Sequence, residues 1–182
     1  MAITRLNNNS VVSVSSLPNL ASLPSGVGAV AMADVWRLAS NHSSSSITST
    51  VVGWERVDDA TFSNVGSGMT ESSGVFSFPS TGKYLIQGII SFNSAGSDSN
   101  YNEVFVEGTS NNSTYDTLAT NSDDIQSSTN ERGATSYVTI FNCTNTSTHK
   151  IRFSAFSQNA VTVLGDSNIS RTHVMFIKLS EI

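Results

Sequence analysis

The 182-residue chain has a single cysteine, Cys143, so neither an intrachain disulfide nor a cysteine-based zinc site can form. A disulfide-stapled secreted scaffold is thereby excluded. Charge is sparse as well: only 13% of residues are charged, with nine Lys and Arg against fourteen Asp and Glu, giving a net charge of -5. The basic residues are scattered, which argues against a nucleic-acid partner, since phosphate binding requires a clustered cationic surface. No run approaches the ~18 consecutive apolar residues that a membrane-crossing helix requires. The most apolar part of the N-terminal region is interrupted by Ser13, Ser15, Ser16, Pro18, Asn19 and Pro24. It lacks the continuous core of a signal peptide, although Ala31-Met32-Ala33 has the small residues of a cleavage site.

What the chain has in excess is uncharged polarity. Ser, Thr and Asn together number 69. Such residues fill turns and the wet faces of strands, and no segment carries a helical apolar stripe. The length suits one domain with a substantial core. Strand-like runs recur every ten to eighteen residues or so, the rhythm of a sandwich or barrel. They include Asp34–Leu38, Ile47–Val57, Asn102–Glu107, Tyr115–Ala119, Thr135–Asn142, Lys150–Phe156, Val161–Leu164 and Thr172–Leu179. Ser43–Ser46, Ser94–Asn100 and Asn121–Arg132 read as polar links. About ten strands and almost no helix are expected.

The organising stretch is Gly74–Phe92, GVFSFPSTGKYLIQGIISF. Val75–Phe78 reads as a short strand, Pro79–Gly82 as a turn and Lys83–Phe92 as the longest strand, the whole forming a hairpin. Pro presets φ within the turn and Gly tolerates positive φ at its end. In the long strand Tyr84, Ile86, Gly88, Ile90 and Phe92 share one face, and Leu85, Gln87, Ile89 and Ser91 the other. In the last strand Val174 and Phe176 oppose His173, Met175 and Ile177. A sandwich strand with one wet face should be polar on that side. These strands are apolar on much of both sides, so some second faces must be covered by an oligomeric partner. Tyr84, Ile86, Ile90, Tyr137, Phe141, Val174 and Phe176 are the candidates for core or oligomer interface.

Residues 1–30 differ from the head at 31–182. They contain Pro18 and Pro24, no acidic residue, and the apolar positions Ile3, Leu6, Val12, Leu17, Leu20 and Leu23. This is more apolar than a solvated tail. An extended arm that buries itself against another chain is expected.

No chemical motif emerges. His42, His149 and His173 are far apart, without the spacing of a metal-binding pair, and His42 and His149 read as solvated loop residues. His173 opens the last strand, where copies in a symmetric oligomer could meet near its axis to bind a metal or respond to pH. Asp58-Asp59 and Asp123-Asp124 are the only acidic pairs, and both read as solvated loop residues. A glycosidase pair or a calcium loop are the sharper alternatives. Asn-x-Ser/Thr triplets at Asn41, Asn111, Asn142 and Asn168 are expected from composition alone, and Cys143 reads as a small packed residue. No catalytic residue, cofactor or metal is expected.

The order Phe76-x-Phe78-Pro79-x-x-Gly82-x-Tyr84, followed by an apolar strand, resembles the central signature of the jelly-roll superfamily of tumour necrosis factor and the complement globular heads. The closing THVMFIKL is similar to that superfamily's final strand. The resemblance covers roughly residues 34–182. It implies an antiparallel jelly-roll sandwich that forms a threefold homotrimer around its inner sheets. The usual closing pattern has a Gly where this chain has Met175-Phe176-Ile177. The opening MAITRLNNNS, with Trp36-Arg37-Leu38 and FPSTG, also resembles small structural proteins of marine tailed bacteriophages. That implies a non-enzymatic virion protein made in the host cytoplasm, a capsid decoration or head fibre fixed to other virion proteins by its arm. A tail-fibre or surface head that binds a receptor or host glycan through Tyr101, Tyr115 and nearby amides is the alternative.

Overall fold

The computed structural model describes residues 30–126 and 131–182. The arm positions Ile3, Leu6, Val12, Leu17, Leu20 and Leu23 lie outside the described residues. Thirteen strands are present and no helix among the described residues: β1 (Ala33–Leu38), β2 (His42–Ser44), β3 (Ser49–Thr50), β4 (Trp54–Arg56), β5 (Thr70–Ser72), β6 (Val75–Ser77), β7 (Gly82–Ser94), β8 (Ser99–Thr109), β9 (Asp116–Ile125), β10 (Arg132–Cys143), β11 (Lys150–Ser157), β12 (Val161–Val163) and β13 (His173–Ser180). Every pairing is antiparallel. The first sheet runs β2-β12-β7-β13-β1-β4, with β10 on the other side of β7. The second runs β5-β6-β11-β8-β9, with β3 also on β11. The fold is an all-β jelly-roll sandwich.

The Gly74–Phe92 stretch is not a hairpin. β6 pairs with β5 and β11 in the second sheet, while β7 lies in the first. Pro79–Gly82 therefore carries the chain from one layer to the other. Because the link is a crossover, Phe76 and Tyr84 enter the core from opposite layers instead of lying side by side in one sheet. Both are fully buried. Phe76 sits at the middle of an aromatic cluster, with ring centroids 5.5 Å from Trp36, 5.8 Å from Trp54, 5.7 Å from Phe153 and 5.1 Å from Phe176. Burying rings of this size supplies a large share of the apolar burial that holds the two layers together.

The segment Asn121–Arg132, expected to be a polar link, is strand as far as Ile125. β9 forms because β8 supplies a backbone template, not because its sequence alternates: most of Asp116–Ile125 is exposed on both faces. It lies at the edge of its sheet and meets β10 of the other sheet through side chains. Asn121 Nδ2 donates to the Ser136 carbonyl at 2.7 Å, and Asp123 Oδ2 accepts from the Ala134 amide at 2.7 Å. These bonds satisfy backbone groups on the side of β10 that has no strand partner. His42, expected in a loop, belongs to β2; it is half-buried, with Nε2 3.2 Å from Ser49 Oγ.

β1 begins with Ala33 opposite Ile177, close to the end of β13. The chain thus enters and leaves the first sheet at the same end of two neighbouring strands.

Candidate functional site

All seven residues proposed for core or interface, Tyr84, Ile86, Ile90, Tyr137, Phe141, Val174 and Phe176, turn into the sandwich and are buried there. None is available to a neighbouring molecule. The outer side of the same sheet carries the alternating residues, and register places them in rows. Leu85 of β7 stands between Ile140 of β10 and Ile177 of β13, with Ala33 beyond. Gln87 stands between Val138 and Met175, with Val35 beyond, and Ile89 between Ser136 and His173, with Arg37 beyond.

This outer face is the most distinctive surface among the described residues. Val138 and Ile140 are 60% and 61% exposed, and Ile89 is 37% exposed. Leu85, Met175, Ile177 and Val35 are half-buried beside them. Single exposed apolar residues are ordinary, but a contiguous set across four strands marks an interaction surface. Leu85, Ile89, Met175 and Ile177 are legible in the sequence as the second apolar face. Val138 and Ile140 are not singled out there, although their signal exists in TSYVTIFN, which is apolar at alternate positions on both sides.

One edge of the face is polar and rigid. Arg37 is 1% exposed, although it lies on the outer side of β1. Its guanidinium is enclosed by three carboxylates: Nε reaches Glu55 at 2.8 Å, Nη1 reaches Asp59 at 3.0 Å, and Nη2 bonds Asp58. The hydrogen bond to Glu55 raises the Arg37 pKa, burial opposes it, and the three carboxylates raise it further. The Asp58-Asp59 pair is exposed to solvent as expected, with both carboxylates also committed to Arg37. Asp123 of the other pair caps β10, and Asp124 is its exposed neighbour. No group of three or more His, Cys, Asp or Glu capable of holding a metal ion within one chain occurs among the described residues.

The residues considered for glycan contact separate. Tyr101 stacks on Phe156, with centroids 5.7 Å apart and planes at 12°, on the outer side of the second sheet. Tyr115 lies near the opposite end of β8 and is covered by Arg152, whose guanidinium carbon is 4.0 Å from the ring centre. Burial raises the Tyr115 pKa while Arg152 lowers it. Arg152 is itself held by both oxygens of Glu107, at 2.9 and 3.2 Å. Cys143 is buried, and burial pushes its thiol up, against the lowering effects of the Asn145 amide, Lys150 and Lys178.

No family model matches the chain, and no curated protein matches it. Solved structures do. Murine APRIL at pH 5.0 is similar with a TM-score of 0.60 and 16% identity, over 81% of this chain and 98% of that one. The Eiger TNF of S. frugiperda is similar with a TM-score of 0.61 and 13% identity, over 83% of this chain and 94% of that one. The described head thus has the jelly-roll fold of the tumour necrosis factor type.

Proposed function

We propose that the chain is a non-enzymatic structural protein of a bacteriophage particle, a homotrimer whose jelly-roll head is displayed on the capsid as a decoration or head fibre. The observation that carries the assembly part is the outer apolar face of β1, β13, β7 and β10. In a lone chain it would leave Val138, Ile140 and Ile89 in water, and a second and third copy remove them from it. A stable contact of this kind needs roughly 1,000 Å² of buried surface or more. Residues 1–30 supply the anchor: their apolar positions dock on another virion protein, and the Ser- and Asn-rich surface of the head faces outward. The resemblance of the opening sequence, Trp36-Arg37-Leu38 and FPSTG to marine phage proteins supports the virion setting.

Light scattering on the purified chain tests the assembly, with trimeric mass expected. Val138→Lys combined with Ile140→Lys should give a folded monomer, and an unchanged mass would refute the role of this face. Deleting residues 1–30 should leave the trimer intact while abolishing co-sedimentation with particles. A truncated head that still co-sediments refutes the anchor.

A receptor- or glycan-binding head on a tail fibre is the second reading, favoured by the exposed Tyr101 beside Phe156. Blocking of phage adsorption by the purified head, lost in Tyr101→Ala, distinguishes it.

A further inference from the structure

The outer side of the second sheet holds a half-buried carboxylate without a counter-ion. Strand alternation puts Tyr101, Glu103, Phe105 and Glu107 of β8 on that side, and register sets Glu103 between Phe156 of β11 and Ser122 of β9. Tyr101 and Phe105 stand two positions away on either side of Glu103, so three aromatic residues surround one acid. Opposed residues on such a ladder have Cβ atoms about 5 Å apart, within reach of aromatic side chains. Tyr101 and Phe156 lie nearly parallel, with planes at 12° and centroids 5.7 Å apart, and Tyr101 is 42% exposed. The Glu103 side chain has no ion pair or hydrogen bond with any described residue. Lys150 and Arg152 are the only cations in the strands of this sheet. Both are committed: Lys150 Nζ donates to Ser77 Oγ at 2.9 Å and to the Thr146 carbonyl at 2.8 Å, and Arg152 is held by Glu107 and covers Tyr115.

From this arrangement we infer that the face formed by Tyr101, Glu103 and Phe156 binds a quaternary ammonium group of the choline type. Ring faces are electron-rich and attract a cation, and the unpaired carboxylate supplies the opposite charge. A primary ammonium carries three donors and is strongly hydrated, whereas the site offers it one carboxylate and the Ser122 hydroxyl. A methylated ammonium has no donor to satisfy and lays its methyl groups on the rings. Asp124, on the same side of β9 as Ser122, repels anions, and the net charge of -5 draws cations to the head. Every residue of the site comes from one chain and lies on the layer opposite the outer apolar face, so the site is complete without a trimer. The inference rests on the receptor-binding reading of Tyr101 for the source of the group, a substituent of a host-surface glycan, and names what that receptor presents.

The test titrates the full chain with choline and follows backbone amide shifts by NMR. Saturable shifts confined to β8, β9 and β11 are expected. The neutral isostere 3,3-dimethylbutanol and the primary amine ethanolamine should each bind at least about fivefold more weakly, the factor set by a cation and ring contact at a partly exposed site. Glu103→Gln, which keeps shape and removes charge, and Tyr101→Leu, which keeps apolar bulk and removes the ring, should weaken choline by a similar factor. The amide spectrum of each variant reports its fold, and either variant alone suffices if the other fails to fold. No saturable shift, equal binding of the isostere, tighter binding of ethanolamine or unchanged affinity in a folded variant overturns the site. Flotation with phosphatidylcholine vesicles is not expected and would overturn the glycan as source. A head that blocks phage adsorption without binding choline overturns the cation site and leaves the receptor reading standing. Choline binding by a head that does not block adsorption overturns the receptor reading and the glycan source, and leaves the cation site.

Discussion

Tyr137 and Gly88 face each other across β10 and β7, and the phenol hydroxyl stands where a side chain on residue 88 would be. A Cβ there would overlap Tyr137 Oη and the His173 carbonyl oxygen. The hydroxyl is buried without a hydrogen-bond partner, and burial pushes its pKa well above the ordinary phenol value. Gly88→Ala should therefore destabilise the head by about 2–3 kcal/mol, since the backbone carbonyl cannot move aside. Tyr137→Phe should stabilise it by about 1 kcal/mol, because it removes an unsatisfied polar atom and keeps the ring. Urea unfolding of the two variants checks both signs.

Asp34 should be the most sensitive polar position in the core. Its side chain is inaccessible and accepts from Trp36 Nε1 at 2.9 Å, the Met69 amide at 2.7 Å, and Arg56 Nε and Nη2 at 2.9 and 3.0 Å. Arg56 in turn lies over the Trp36 ring, 4.8 Å from its centre. Asp34→Ala strands three donor groups and should cost about 3–5 kcal/mol. Asp34→Asn keeps one acceptor oxygen and should cost about 1–3 kcal/mol. Equal losses in thermal unfolding would contradict this account.

The head should lose stability on mild acidification through His42. Burial holds this imidazole below its ordinary pKa of 6.5, so the unfolded chain takes up a proton more readily than the folded one. The contribution is complete above about pH 6.5 and is lost as pH falls towards the lower folded value. Asp166, lowered chiefly by the Asn168 amide, acts in the same direction but only within the carboxylate range. Melting temperatures at neutral pH and in the window just below pH 6.5 should converge for His42→Gln and diverge for the parent chain.

Cys143 should be silent in the folded head. Its thiol is buried and its pKa raised, so native protein should react with an aromatic disulfide at least about a hundredfold more slowly than denatured protein, the factor set by an opening free energy of about 3 kcal/mol. Stopped-flow thiol titration measures it. Comparable native and denatured rates would place the sulfur at the surface.

How much of this was written in the sequence depends on what kind of force decides each element. Alternation in Lys83–Phe92 separates Tyr84, Ile86 and Ile90 from Leu85 and Ile89, and the structure separates them in the same way because strand geometry allows no other arrangement. Which of the two sets faces the core is decided by the second sheet, which a single strand cannot see. β9 was half hidden because Asn121, Asp123 and Asp124 carry no apolar signal. Its strand conformation is imposed by β8, and Asn121 and Asp123 are committed to β10. The turn at Pro79–Gly82 was legible as a turn, yet whether it joins neighbours or crosses layers depends on where β11 lies, seventy residues away. The Arg37 clamp was similarly hidden: Glu55, Asp58 and Asp59 lie close together in sequence, but only the pairing of β1 with β4 brings the cation among them.

The shared end of β1 and β13 gives the head two poles with different engineering value. A fusion partner on either terminus of the described head emerges beside Ala33 and Ile177, at one pole. The opposite pole carries the 39–41, 95–98 and 164–172 connections. Gly96 has open space around its Cα, so that connection tolerates an inserted epitope or label. Cargo placed there would project away from whatever holds the N-terminus.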